Sequence, residues 1–276
     1  MSAQWLHLRA GETLIASNTG AWIQLAALGR RPFVGDMSDS APATIESTRH
    51  LLDGAIAAAE QASPRVPGPP MTPRRWAWSL VNQWYGAHHT LPLFLEVADR
   101  FSALDRLDLA EFAIQKYEEE RGHDELPLND LRMLSYDAEA AVSEVPPGPG
   151  VVALVEYARQ CVRGERPVEF LGHIYALERQ MIRLNRNFFA ALDAALGRVG
   201  APASFLRSHA DDLDIHHVDE AVSFITGLPA SDRTVVARGC YRTTQARHVS
   251  LPGRHPSESE LENRLSRFQT AFAHQP

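Results

Sequence analysis

The sequence has 276 residues, a length that is ample for a buried core. Its hydrophobic content of 45% and charged content of 22% are ordinary for a globular protein. Its formal net charge of −7 argues against nucleic-acid binding, which normally needs a basic surface. No apolar run approaches the roughly 18 residues of a membrane span, and no basic region followed by an apolar run opens the chain. A cytoplasmic protein that binds neither nucleic acid nor membrane is therefore expected.

Residues 1–72 are predicted to form an N-terminal extension that ends in a proline-rich linker. Two largely apolar segments, 12–17 and 21–28, flank Asn18, Thr19 and Gly20, so either a hairpin or a helical turn fits them. Residues 42–61 have the apolar spacing of a helix, with Ser40 as a candidate cap. Residues 63–73, SPRVPGPPMTP, exclude regular structure because proline fixes φ and lacks an N–H.

Residues 73–276 predict one all-α domain. Apolar residues recur with helical spacing from residue 73 onward, and glycine and proline interrupt the pattern. The predicted helices are 73–86, 91–103, 107–122 with a continuation through 134, 151–163, 167–196, 203–226, 231–249 and 257–273.

Two of these helices carry candidate metal ligands near their centres. Glu120 and His123 have the Glu-x-x-His spacing that carboxylate-bridged di-iron proteins use in helical bundles. Glu178 lies near an apolar stripe, where a carboxylate is costly unless it is paired or binds a metal. Surface pairing with Arg179 or Arg183 is the alternative for Glu178.

Residues 208–220, SHADDLDIHHVDE, are dense in histidine and acid. On a continuous helix His209, Asp212 and His216 would share one face, which makes half of a metal site. A solvated surface helix is the alternative. Together with Glu120, His123 and Glu178, the set has three carboxylates and three imidazoles. Such a mixed, oxygen-rich set is suited to iron or manganese, whereas zinc sites of the structural kind are rich in cysteine.

The order of these motifs is similar to that of the haem-oxygenase-like di-iron oxidases and oxygenases. The resemblance covers roughly residues 76–227 and rests on Glu-x-x-His, the GHDEL of residues 122–126, the LGHIYALE of residues 171–178, and the His-rich segment that follows. It implies an all-α, seven-helix bundle without haem. It also implies two Fe(II) per chain, with manganese as the other option, and O2 as co-substrate.

Carried over by residue, the resemblance makes Glu120 and His123 the first pair of ligands and Glu178 a bridging carboxylate. His209 and His216 match the last pair. The family places its acid four residues after the first of these histidines, where Leu213 stands here, so Asp212 is a departure. The register with Asp214 and His217 preserves the acid-to-histidine spacing, but it puts Ala210 where the first histidine belongs.

Lys116, the only lysine of the chain, lies four residues before Glu120. On a helix it would face the same way as the predicted ligands. It is predicted to be a catalytic group that pairs with a substrate carboxylate, or with Glu120 when metal is absent. A lysine that reaches solvent from a partly buried turn is the alternative.

The predicted function is that of a non-haem di-iron oxidase or oxygenase acting on a small molecule such as a fatty acid, amino acid or amine. The chain has no Gly-x-Gly-x-x-Gly nucleotide fingerprint, so electrons would come from the substrate or an external donor. One alternative is a cofactor-free enzyme of thiaminase or quinone-biosynthesis type, for which Cys161 lacks an evident base. Another is a non-catalytic helical metal-binding or regulatory protein. A homodimer is common for such bundles.

Overall fold

The computed structural model describes residues 3–26, 43–63, 68–184, 186–198, 200–210, 212–248 and 255–270, with the backbone alone for 212–215 and 248. It begins with a three-stranded antiparallel sheet in the order β1 (Gln4–Arg9), β2 (Glu12–Ser17) and β3 (Gly20–Leu25). The hairpin interpretation of the N-terminal residues is therefore confirmed. Strand β2 is the best buried of the three, while every residue of β3 after Gly20 is exposed.

The rest of the described chain is helical, as the sequence predicts. The helices are α1 (Ile45–Ala62), α2 (Pro73–Ala103), α3 (Leu107–Glu120), α4 (Glu125–Met133), α5 (Ala138–Glu144), α6 (Pro149–Arg163), α7 (Glu169–Met181), α8 (Arg186–Leu196), α9 (Ser204–Ser208), α10 (Asp212–Thr226), α11 (Ala230–His248) and α12 (Glu258–Leu265), followed by a 3-10 turn at Ser266–Phe268. No helix within the described ranges combines the length and apolarity that a membrane crossing requires.

Several helix boundaries differ from the prediction. Helix α2 runs unbroken through Pro92, where two helices were expected. The predicted helices 107–134, 167–196 and 203–226 are each divided in two, and α5 was not predicted. Thr44 caps α1 with Ser47 in a capping box, whereas Ser40 lies outside the described residues. The spacing of apolar residues identifies the buried face of a helix, but it does not detect a short break between two successive helices.

The chain divides into two compact units. The first comprises Met1–Arg65, Tyr157–Gln180 and Asp212–Val249, and the second comprises Val66–Glu156, Met181–Asp211 and Ser250–Pro276. The first unit therefore combines the N-terminal segment with later helices, so the predicted boundary at residue 72 is not where these units divide. Whether residues 73–276 form one domain stays a prediction.

In the first unit, buried polar contacts tie the sheet to the helices. The Gln4 side chain donates to Ser47 Oγ at 2.9 Å and to Thr48 Oγ1 at 3.3 Å. It also accepts a hydrogen bond from Arg233 Nε at 2.7 Å. Gly54 of α1 lies against Leu14 of β2 so closely that an added Cβ would approach the leucine side chain to 3.1 Å. The sheet is thus an integral layer of this unit.

Helices α7 and α11 of the same unit cross at two glycines. A Cβ added to Gly172 would lie 1.9 Å from the carbonyl oxygen of Val236, and one added to Gly239 would lie 2.3 Å from that of Glu169. Since neither position has room for a side chain, the two backbones pack in direct contact. The glycine of the LGHIYALE motif therefore has a packing role.

The second unit has an apolar core around α2. Trp76, Leu80 and Val81 of α2 are buried, and the Trp76 indole donates to the carbonyl oxygen of Pro202 at 2.7 Å. Ala77 and Trp78 of α2 also belong to this core. Its other buried members come from other segments of the unit: Leu128, Leu131, Tyr136, Ala138, Ala141, Val145, Leu192, Ala201, Ala203, Leu206, Leu261, Leu265 and Phe268. This core supports both segments that carry the candidate site.

Candidate metal centre

Glu120 is the last residue of α3, and its side chain is 22% exposed. The helix ends here because Arg121 takes an extended conformation and Gly122 has a φ of +88°. That φ is in the left-handed region, which glycine occupies without strain. The expected continuous helix through His123 is therefore wrong, and the break falls inside the Glu-x-x-His motif.

The turn nevertheless brings the two side chains of this motif together. The backbone N–H of His123 donates to the carbonyl oxygen of Glu120 at 3.1 Å. Its Nδ1 lies 3.0 Å from Glu120 Oε2, and 28% of the His123 side chain is exposed. The i, i+3 spacing gives proximity on a single turn as well as on a helix.

His209 reaches the same place from a distant part of the sequence. It is the C-cap of α9, its side chain is 8% exposed, and its Nε2 lies 3.9 Å from Glu120 Oε2. Its ring meets that of His123 edge-on with centroids 4.9 Å apart, and Phe205 edge-on at 4.7 Å. Glu120, His123 and His209 all lie in the second unit.

One ligand atom from each of Glu120, His123 and His209 lies within 4.8 Å of the other two. Within the described residues it is the only group of three or more histidine, cysteine or acidic side chains close enough to hold a metal ion. Donors on opposite sides of a first-row metal ion are about 4.2 Å apart, since each bond is close to 2.1 Å. To bind one ion in this way, the most widely separated donors would have to move slightly closer together.

The chemistry of the donor set fits iron. Two imidazoles and one carboxylate form the combination that non-haem Fe(II) sites use, and cysteine is absent from the group. Cys161 and Cys240 are both buried in the first unit. The structure brings Glu120, His123 and His209 together, and their binding of a metal stays a prediction.

Lys116 is almost fully buried, with 2% of its side chain exposed. Its Nζ lies 2.6 Å from Glu119 Oε2, and the Gln115 amide donates to the other oxygen of Glu119 at 2.9 Å. The alternative in which this lysine reaches solvent is therefore wrong. Glu119 is one partner of Lys116, and the predicted pairing with a substrate carboxylate or with Glu120 stays a prediction.

The other predicted ligands lie in the first unit. Glu178 is buried on α7, with 7% exposed. Its neighbour Arg179 forms a bidentate pair with Asp53, at 2.8 and 2.9 Å. Helix α10 begins at Asp212, whose side chain lies outside the described residues, and His216 on that helix is exposed.

The expected continuous helix through residues 208–220 is also wrong. Helix α9 ends at Ser208 and α10 begins at Asp212, so His209 caps the end of α9, whereas Asp212 and His216 lie on α10. These three residues therefore do not share one helical face. A pattern of apolar spacing does not detect a short break between two helices.

A second buried polar cluster surrounds Glu169. This carboxylate accepts hydrogen bonds from Tyr157 at 3.0 Å and from Arg238 at 3.2 and 3.0 Å. Cys161 lies beside them, and burial raises the pKa of its thiol to about 12. Glu169 is thus a buried carboxylate paired with cationic side chains.

A family model and solved structures of other proteins match this chain. A family model described as an iron-containing redox enzyme matches residues 78–248. A solved structure of a domain of unknown function with a haem-oxygenase-like fold from Shewanella denitrificans OS217 is 16% identical, covers 80% of this chain and 90% of its own, and has a TM-score of 0.58. A TenA homologue from Pseudomonas syringae pv. tomato DC3000 is 11% identical, with coverages of 79% and 96% and a TM-score of 0.51.

No curated protein matches the sequence. The two structural matches show the haem-oxygenase-like fold that the sequence resemblance implies. The family model covers more than half of the chain and includes Glu120, His123 and His209. The chain belongs to the family of iron-containing redox enzymes with a haem-oxygenase-like fold.

Proposed function

We propose that the chain is a non-haem iron oxidoreductase that uses O2 to oxidise a small organic substrate. The observation that supports this function is the convergence of Glu120, His123 and His209 in a chain of the iron-containing redox family. When bound, iron supplies the O2 activation and electron transfer that none of these side chains can perform. Manganese suits the same donors.

The three side chains have different tasks in this proposal. Glu120 supplies the negative charge that offsets part of the charge of a divalent cation. The buried imidazole of His209, packed on Phe205, fixes one side of the site and keeps water from it. Glu120 and His123 are 22% and 28% exposed, so a small molecule can approach from their side.

Two iron ions per chain would need further ligands, for which we propose Glu178, Asp212 and His216. This part of the proposal rests on the family resemblance alone. Electrons would come from the substrate or from an external donor. The substrate class follows from the resemblance in the same way: a fatty acid, an amino acid or an amine.

A cofactor-free enzyme of thiaminase type is the competing function, because a TenA homologue shares the fold. A thiol nucleophile would need its thiolate near neutral pH. Burial raises the pKa of Cys161 to about 12 and that of Cys240 well above its ordinary value. Neither thiol therefore fits the role. A non-catalytic metal-binding protein is the other alternative, and it would bind metal without consuming O2.

Metal analysis under anaerobic conditions tests the proposal. Wild-type protein is loaded with Fe(II), freed of unbound metal and analysed for iron per chain. We expect at least one equivalent in the wild type, and two would support the second set of ligands. Glu120→Gln and His209→Ala should retain little iron, because each removes one of three ligands.

Glu118→Gln is the matched control for Glu120→Gln, since Glu118 lies on the same helix but pairs with Arg121 at the surface. It should retain wild-type iron. Loaded protein is then exposed to O2 with a reductant and candidate substrates while O2 consumption is recorded. Protein that retains no iron after anaerobic loading would refute the proposal. Iron that never reacts with O2 would favour the non-catalytic alternative.

A further inference from the structure

Glu120 and His123 are held together by a single turn of chain, whereas His209 must be brought from another segment. His209 follows α9, which has only five residues. An isolated helix of one turn is unstable in water because nucleation costs more than the few hydrogen bonds return. Contacts outside α9 must therefore set the position of this imidazole.

The N-terminus of α9 lacks the usual local cap. Its N-cap residue is Ala203, which offers no side-chain acceptor to the first N–H groups of the helix. Such groups need a partner when they are buried. Asp130 of α4 supplies it. One of its carboxylate oxygens accepts from the backbone N–H of Ser204 at 2.6 Å and the other from Ser204 Oγ at 2.7 Å.

Asp130 is completely buried, and both of its oxygens are used at α9. Burial raises the pKa of Asp130, while hydrogen bonds from Ser204 and from the backbone N–H of Phe205 act in the opposite direction. A buried carboxylate is costly unless such donors compensate it. The residue is thus placed in the core of the second unit to bind the start of α9.

The same contact continues to His209 through Phe205. The backbone N–H of Phe205 points to Asp130, and its ring packs edge-on against the His209 imidazole at 4.7 Å. On the other side, α4 begins with Asp124 as its N-cap, directly after His123. Asp130 therefore connects α4, which begins just after His123, with α9, which ends just before His209.

We propose that Asp130 is a positioning residue that holds His209 within reach of Glu120 and His123. The inference rests on the proposed metal site. It adds a residue that holds one of the three candidate ligands in place. Asp130 itself does not touch the metal. Its removal should therefore weaken metal binding through His209 and not through the loss of a ligand atom.

Cobalt(II) binding measures this directly, because the visible absorption of bound cobalt depends on the number and type of its ligands. Asp130→Asn keeps the shape of the side chain and one oxygen acceptor. We expect it to bind cobalt about 10- to 100-fold more weakly than wild type, the usual effect of losing a residue that orients a ligand. Its spectrum should shift toward that of His209→Ala.

The double variant Asp130→Asn with His209→Ala separates positioning from general destabilisation. If Asp130 acts through His209, the double variant binds cobalt no more weakly than His209→Ala alone. Asp137→Ala is the matched control. Asp137 caps α5 by accepting from the backbone N–H of Ala140 at 3.2 Å, in the same unit, so its loss removes a helix cap but should leave cobalt affinity and spectrum unchanged.

A folded Asp130→Asn protein with wild-type cobalt affinity and spectrum would overturn the inference, as would effects of the two substitutions that add independently. If Asp130→Asn does not fold, Ser204→Ala replaces it, since it removes one donor and leaves the backbone N–H. A few-fold loss of affinity in Ser204→Ala supports the inference, and unchanged affinity overturns it. Wild-type protein that binds no cobalt would instead refute the metal site itself.

Discussion

At the scale of single residues, the chemistry of the candidate site could be predicted but its backbone could not. Glu120, His123 and His209 were identifiable because imidazoles and a carboxylate in this order are typical of non-haem iron sites. The conformation of residues 120–123 was not, because an i, i+3 spacing is shared by a helix and a turn. Gly122 was the signal for the break, through its freedom to adopt a φ of +88°.

Lys116 shows the opposite case, in which tertiary structure decides the partner. Its position on the helix suggested the ligand side, and burial confirms that it faces inward. The carboxylate of Glu119, one residue before the candidate ligand Glu120, lies 2.6 Å from the ammonium nitrogen of Lys116. Sequence spacing does not predict the contact between Lys116 and Glu119, because that contact depends on side-chain packing.

His173 leads to a prediction about the pH dependence of stability. The side chain is buried and its Nδ1 lies 3.1 Å from Thr243 Oγ1. Burial lowers the pKa of His173 from 6.5 to about 4. The unfolded chain therefore takes up this proton near pH 6.5, and the folded chain only near pH 4. Above pH 6.5 the imidazole is neutral in both states, and His173 does not lower the free energy of unfolding. As the pH falls from 6.5 toward 4, proton uptake by the unfolded chain lowers the free energy of unfolding by roughly 3 kcal/mol.

His173→Gln removes the titrating group and keeps a polar side chain beside Thr243. We expect the free energy of unfolding of this variant to fall less than that of wild type between pH 7 and pH 4.5. Urea unfolding at the two pH values measures the difference. Equal losses in the two proteins would contradict the prediction.

At the scale of secondary-structure elements, the crossing of α7 and α11 depends on the absence of side chains. Gly172→Ala would place a Cβ 1.9 Å from the carbonyl oxygen of Val236, so the two helices must move apart. We expect a cost of about 3 kcal/mol or more in the free energy of unfolding, the upper range for overpacking. Thermal and chemical unfolding measure it.

Gly150→Ala is the control for this substitution. Gly150 lies in α6, and a Cβ added there meets nothing within 4 Å. Because alanine favours a helix over glycine, this variant should be unchanged or more stable by up to about 1 kcal/mol. A Gly172→Ala protein as stable as Gly150→Ala would show that the crossing has room to adjust.

The division of residues 203–226 into α9 and α10 is the element-scale feature that matters most for the site. The apolar pattern supports one helix, yet α9 stops at Ser208 and His209 is a cap residue. Asp130, which accepts from the start of α9, is distant in sequence from Ser204. No local signal reports such a contact, so this boundary could not be predicted.

At the scale of the whole molecule, the N-terminal residues are part of the first unit and are not an appendage. Leu6, Leu14 and Ile15 are buried, and Gln4 bridges α1 and Arg233 of α11. Each such apolar side chain contributes about 2 kcal/mol when buried. Deleting residues 1–26 should therefore lower the unfolding temperature by roughly 10 °C or more, measured by circular dichroism.

Trp22→Ser provides the comparison for this deletion, because Trp22 lies on the exposed strand β3 with 49% of its surface accessible. Its replacement should change the free energy of unfolding by less than about 1 kcal/mol. A shortened protein that unfolds at the wild-type temperature would show that the helices of the first unit are stable without the sheet.

The sequence by itself determined the helical fold class, the family and the residue types of the candidate metal centre. These depend on local periodicity and on the chemistry of individual side chains, which the chain carries wherever it folds. Tertiary structure decided where helices break and which side chains meet: the turn at Gly122, the separation of His209 from His216, and the cap that Asp130 provides to α9. Those features depend on contacts between residues far apart in the chain, whose free energy no local pattern contains.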